Sequence, residues 1–113
     1  MGRLTTHVLD TANGKPGNGI PGRLYSIDGV RLLITEFTTN DDGRVDTPLL
    51  DEEDFKTGTY ELIFDVARYF GDTGSDRQPF LTDVILRFHL SDDDQYHIPL
   101  LVSPWSYTTY RGS

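Results

Sequence analysis

The chain has 113 residues, 36% of them hydrophobic, which fits one compact domain over residues 1–113 with a single core. It contains no cysteine, so disulfide frameworks, thiolate nucleophiles and thiolate zinc sites are excluded, and any chemistry must come from histidine, carboxylate, hydroxyl or arginine groups. A formal charge of −8 speaks against nucleic-acid and anionic-membrane partners, both of which require basic patches to displace counterions.

No apolar run approaches the roughly 18–20 residues of a membrane span, and "MGRLTTHVLD" lacks a secretory apolar stretch, so a cytoplasmic protein is expected. Met1 to Thr6 fits the loose N-myristoylation pattern, but that pattern needs a free arm and Leu4 to Asp10 reads as a strand.

Short β-type runs punctuated by Gly, Pro, Asn and Asp dominate the sequence. The first, Leu4 to Asp10, places Leu4, Thr6 and Val8 on one face and Thr5, His7 and Leu9 on the other. After the turn "ANGKPGNG" come strands Arg23 to Ile27 and Arg31 to Thr39, separated by "IDG". The next turn, "NDDGR", ends on Arg44. That residue is either a solvated cation paired with Asp41 or Asp42, or a guanidinium fork aimed at an oxygen-rich ligand, and spacing leaves both open. A short strand is predicted near Thr47 to Leu50 and a longer one over Thr59 to Phe64.

At residues 65–71 the period changes. "DVARYFG" offers a capping Asp65, apolar Val66, Tyr69 and Phe70 at helical spacing, and Gly71 as a stop, which predicts one short helix. Val84 to Ser91 turns Val84, Leu86, Phe88 and Leu90 to the core, leaving His89 as an ordinary surface residue. Beyond the turn "SDDD", the strand Tyr96 to Ser103 buries Tyr96, Ile98, Leu100 and Val102, and His97, Pro99 and Leu101 face outward. Pro99 has no N–H and is expected at an edge or a bulge. In the last strand, Ser106 to Arg111, periodicity does not decide which set of side chains faces out.

Eight short strands with short connections predict an all-β sandwich or barrel of antiparallel neighbours. An outward face carrying Leu9, Pro99 and Leu101 is too apolar for water and predicts a groove or an association surface, covered in a homo-oligomer. His7 and His97 lie on such faces, as the side chains that titrate closest to neutral pH. No His-x-x-x-His or carboxylate spacing supplies further ligands for a metal.

The segments "LTTHVLDTANGKPGNGIPGRLY" and "YHIPLLVSPWSYTTY", the turn with Arg44 and above all the terminal "YRGS" resemble the transthyretin-like 5-hydroxyisourate hydrolases. The resemblance runs from about Leu4 to Ser113; Trp105 and Ser106 depart from the Tyr or Phe and Gly common before the tail. It implies a transthyretin-like sandwich of two four-stranded sheets with one short helix, assembled as a homotetramer, a dimer of dimers, with sites in a channel between dimers. It further implies His7, Arg44, His97 and Ser113 as catalytic residues, and His7, Arg44, Tyr110 and Arg111 as substrate-binding ones. The implied substrate is 5-hydroxyisourate, opened by water in urate breakdown, with no metal or organic cofactor. A small-molecule carrier of the same fold is the rival expectation, against which stands the polar character of these residues.

Overall fold

The structure, a computed structural model, describes residues 2–72 and 78–112. Eight strands and one helix follow in the order β1 (Arg3–Asp10), β2 (Lys15–Pro16), β3 (Pro21–Ser26), β4 (Leu32–Thr38), β5 (Gly58–Asp65), α1 (Val66–Asp72), β6 (Asp83–Leu90), β7 (Gln95–Val102) and β8 (Tyr107–Thr109). They form two four-stranded sheets, β2-β1-β7-β8 and β4-β3-β5-β6, which is the predicted sandwich. Among the described residues no helix is long and apolar enough to cross a membrane.

Alternation builds the core as expected. Leu4 and Val8 of β1 and Leu100 and Val102 of β7 are fully buried against Leu24, Leu62 and Phe64 of the second sheet. Burying each such side chain contributes about 1.5–3 kcal/mol, so this interior dominates the folding energy. Helix α1 begins where predicted, with the Asp65 carboxylate accepting the N–H of Arg68 at 3.1 Å, and it buries Val66 and Phe70; it runs through Gly71, the expected stop, to Asp72.

Three expectations about the strands need correction. The segment Thr47 to Leu50 is no strand; it touches β1 through a single bridge, with Leu4 N donating to Leu50 O at 2.9 Å and Leu49 N to Leu4 O at 2.8 Å. The reason is that the open edge of β1 is shared. Leu50 meets it at Leu4, the turn before Arg44 at Val8, and β2 pairs with Leu9 and Asp10, so the eighth strand arises inside "ANGKPGNG".

The second correction concerns direction: β1 and β7 run parallel, from Arg3 opposite Gln95 to Asp10 opposite Val102. Short connections dictate antiparallel pairing only between consecutive strands, and this pair joins opposite ends of the sequence. Third, Pro99 lies on β7, an inner strand, and not at an edge. Leu101 pairs with Thr108 and His97 with Gly112, so the register is continuous and sets Pro99 opposite Tyr110. The ladder is interrupted there, where proline has no N–H to give.

The far end of β1 is tied to the helix. The buried Asp10 carboxylate accepts the backbone N–H of Ala12 (2.9 Å) and Asn13 (3.0 Å), the Asn13 side-chain amide (2.8 Å) and the Tyr69 hydroxyl (2.6 Å). Burial pushes this carboxyl up, but those hydrogen bonds outweigh it and hold the group below the usual carboxylate range. On the second sheet's outer face, Glu61 is buried between Arg31 (2.6 Å) and Arg87 (3.0 and 2.8 Å), which lower its pKa through their hydrogen bonds.

Replacing Tyr69 with Phe removes one donor from the buried Asp10 and should cost about 1–3 kcal/mol of stability at neutral pH. Since the folded Asp10 pKa lies below its unfolded value, the contribution is complete above the ordinary carboxylate pKa and fades as pH falls through the folded one. The difference between wild type and variant, read by urea unfolding at one fixed protein concentration, should therefore shrink in acid.

Candidate functional site

The parallel ladder brings the two outward histidines together. Thr5 stands opposite His97, His7 opposite Pro99 and Leu9 opposite Leu101, and residues opposed across a ladder share a face of the sheet. His7 and His97 are therefore diagonal neighbours, and their rings stack with centroids 6.0 Å apart and planes inclined by 24°. Thr5 Oγ1 lies 2.8 Å from His97 Nδ1. His89, in contrast, lies exposed on the second sheet beside Thr59, as expected of a surface residue.

Arg44 reaches this pair through the construction of its turn. Asn40 Oδ1 accepts the N–H groups of Asp42 (2.9 Å) and Arg44 (3.1 Å), and Gly43 sits at φ 74°. Gly43 O accepts the N–H of Val8 at 2.8 Å, and a Cβ at position 43 would collide with the Val8 carbonyl oxygen. Thus the turn docks on the edge of β1, and Arg44 forms an antiparallel bridge with His7. Among the described residues Arg44 forms no ion pair, with Asp41, Asp42 or any other acid; the ion pairs are Arg3 with Asp51, Arg31 and Arg87 with Glu61, and Arg111 with Asp94.

The charge of Arg44 instead falls on the imidazoles. Burial lowers the His7 pKa first, and Arg44 lowers it further; His97 is lowered by burial, then by Arg44 and by His7. Both rings are thus held neutral at neutral pH, the state in which imidazole accepts a proton.

Past the Pro99 gap the tail is fastened at two points. Thr109 Oγ1 donates to Pro99 O at 2.7 Å, and Gly112 N donates to His97 O at 2.6 Å. A Cβ on Gly112 would lie 3.0 Å from Cδ2 of the His97 ring and 3.1 Å from the His97 carbonyl oxygen, so a side chain here would press on the imidazole unless the ring shifted by a few tenths of an ångström. The register assigns Thr108, opposite Leu101, to the histidine face and sets Tyr110 beside Pro99 with its side chain 60% exposed.

Arg111 turns elsewhere. Its Nη2 lies 3.3 Å from Asp94 Oδ2 and from Gln95 O, and its guanidinium carbon lies 4.3 Å above the Tyr96 ring. The divergent Trp105 is exposed and stacks on Phe80 at 6.1 Å. Ser113 lies outside the described residues. The arrangement thus unites His7, His97 and Arg44, holds Tyr110 on the same sheet and places Arg111 apart from the imidazoles. Thr5 is the participant that sequence reasoning did not single out; Gly112 entered it only as part of the terminal YRGS, without a contact of its own. Alternation assigns Thr5 to the His7 face, yet nothing in the sequence names its partner on β7.

Two substitutions probe this geometry. Arg44→Gln removes the charge that opposes imidazolium, so the titration midpoints of His7 and His97 should rise towards the ordinary value of about 6.5 in an NMR titration. Unchanged midpoints would assign the lowering to burial alone. Gly112→Ala should displace the His97 ring and reduce turnover while sheet content, read by circular dichroism, stays unchanged.

The HIUase/Transthyretin family model matches residues 4–112. A Pseudomonas aeruginosa protein named 5-hydroxyisourate hydrolase is 53% identical over 117 aligned residues, covering 100% of this chain and 93% of its own length. The crystal structure of (S)-allantoin synthase superposes with a TM-score of 0.92 at 45% identity over 99% of this chain, which spans 44% of that longer protein. Sea bream transthyretin, solved in complex with thyroxine, superposes with a TM-score of 0.87 at 28% identity, covering 97% of this chain and 94% of its own. The family match begins within β1 and ends at the tail glycine, taking in both sheets, and the chain belongs to the HIUase/Transthyretin family.

Proposed function

We propose that the chain hydrolyses 5-hydroxyisourate, adding water to a ring carbonyl and opening the six-membered ring to 2-oxo-4-hydroxy-4-carboxy-5-ureidoimidazoline. The observation that carries this reading is the stacking of two imidazoles kept neutral beside a guanidinium that no acid among the described residues neutralises. Ring opening needs a base for water, a counter-charge for the developing oxyanion and a proton for the leaving nitrogen. His97 and His7 supply the proton transfers. Arg44 holds the substrate oxygens and stabilises negative charge with its planar set of donors. Tyr110 walls the substrate or donates to it, and Arg111 and Ser113 brace the tail against the site.

In one chain His7 and His97 are only half-buried, and Arg44 and Tyr110 are exposed. A site that excludes water therefore requires a second subunit over this face, and a homotetramer built as a dimer of dimers would supply one. A strictly monomeric protein in sedimentation would undermine that part.

The decisive measurement follows the ultraviolet absorbance of freshly generated 5-hydroxyisourate with and without the protein. Accelerated decay is expected, and His97→Ala should slow turnover by about 10²- to 10⁴-fold. Binding without acceleration would instead favour a carrier.

A further inference from the structure

We propose that Thr5 is a positioning residue for His97: its hydroxyl accepts the Nδ1–H of that imidazole and so keeps Nε2 as the basic nitrogen on the face shared with His7 and Arg44. The inference rests on the reading that His97 moves a proton.

The contact follows from register. Thr5 is directly opposite His97 on the adjacent parallel strand, and its Oγ1 is 2.8 Å from Nδ1. Other threonine hydroxyls on this sheet and its flank end on backbone carbonyls: Thr6 on Ile98 O (2.7 Å), Thr11 on Val102 O (3.1 Å) and Thr109 on Pro99 O (2.7 Å). A carbonyl obliges the hydroxyl to donate. Among the described residues the Thr5 hydroxyl has His97 as its only partner, and so it is free to accept.

The charge of Arg44 selects acceptance: Arg44 is bridged to His7 and its positive charge falls on this face of the imidazoles, where it favours a bare nitrogen over an N–H. In that tautomer Nδ1 keeps its proton in both the neutral and the charged ring, so the bond to Thr5 persists when Nε2 takes a proton. In the reaction Nε2 removes one proton from water as the water oxygen bonds to the ring carbonyl carbon. It returns that proton to the ring nitrogen as the C–N bond breaks, and Thr5 neither gains nor loses one. His7 stacked beside the ring and Gly112 against its Cδ2 edge complete the restraint.

The test uses the full chain labelled with ¹⁵N-histidine. Without substrate, the ring-nitrogen shifts of His97 should report the Nδ1–H tautomer in wild type and in Thr5→Ser, and a move towards Nε2–H in Thr5→Val. With 5-hydroxyisourate, T5V should lose about 10- to 100-fold in kcat with KM changed less than about 2-fold, and T5S should recover most of the loss. A wild-type His97 protonated at Nε2 overturns the proposal, and so does a T5V protein with unaltered tautomer, whatever its rate. The wild-type spectrum alone decides the point should T5V fail to fold. Since the tautomer is read without turnover, a failure of the hydrolase reading appears separately, as a wild-type protein that leaves 5-hydroxyisourate untouched.

Discussion

Everything at the site depends on the parallel pairing of β1 with β7. Its register is fixed by the core and not by the polar groups it aligns. A slip of one residue would exchange the two faces of a strand, exposing Leu4 and Val8 or Leu100 and Val102. Each of those side chains is worth about 1.5–3 kcal/mol buried, whereas the Thr5–His97 hydrogen bond contributes about 1 kcal/mol. Hydrophobic burial therefore sets the position of the imidazoles, and the site inherits its geometry from the sandwich.

The electrostatics of the two outer faces differ for a definable reason. On the second sheet Glu61 stands between Arg31 and Arg87, so each of those arginines has a carboxylate partner. Beside the histidines no carboxylate among the described residues pairs with Arg44, in a chain whose formal charge is −8. That guanidinium disfavours imidazolium at both rings, and in the proposed reaction it would also meet an oxygen-rich ligand. A ligand anion that paired with Arg44 would offset the effect on imidazolium, while the burial it adds would act the other way.

Much of this was legible in the sequence. Alternation separated core from outer faces on β1 and β7 and put His7 and His97 on the outer side, because those strands are long and half-buried. The helix was legible from Asp65 and the spacing of its apolar residues. What remained hidden depends on distant partners. β2 has two residues inside a Gly- and Pro-rich turn, and Thr47 to Leu50 reads as a strand until Arg44 and β2 are seen to share the edge it would need. The role of Arg44 turns on Gly43 pressing against the Val8 carbonyl, a contact between segments far apart in the chain. Alternation gave Thr5 its face, but only the register gives it a partner.

The gap at Pro99 turns the tail into a ruler. Between Thr109, held at Pro99 O, and Gly112, held at His97 O, run two residues with no ladder bonds to β7. One residue more or fewer in that span would carry Gly112 past the His97 carbonyl, place a side chain against the imidazole and exchange the directions of Tyr110 and Arg111. Tolerance there is therefore asymmetric: either residue of the span can change its side chain at modest cost to the backbone, while any insertion or deletion moves the histidine itself.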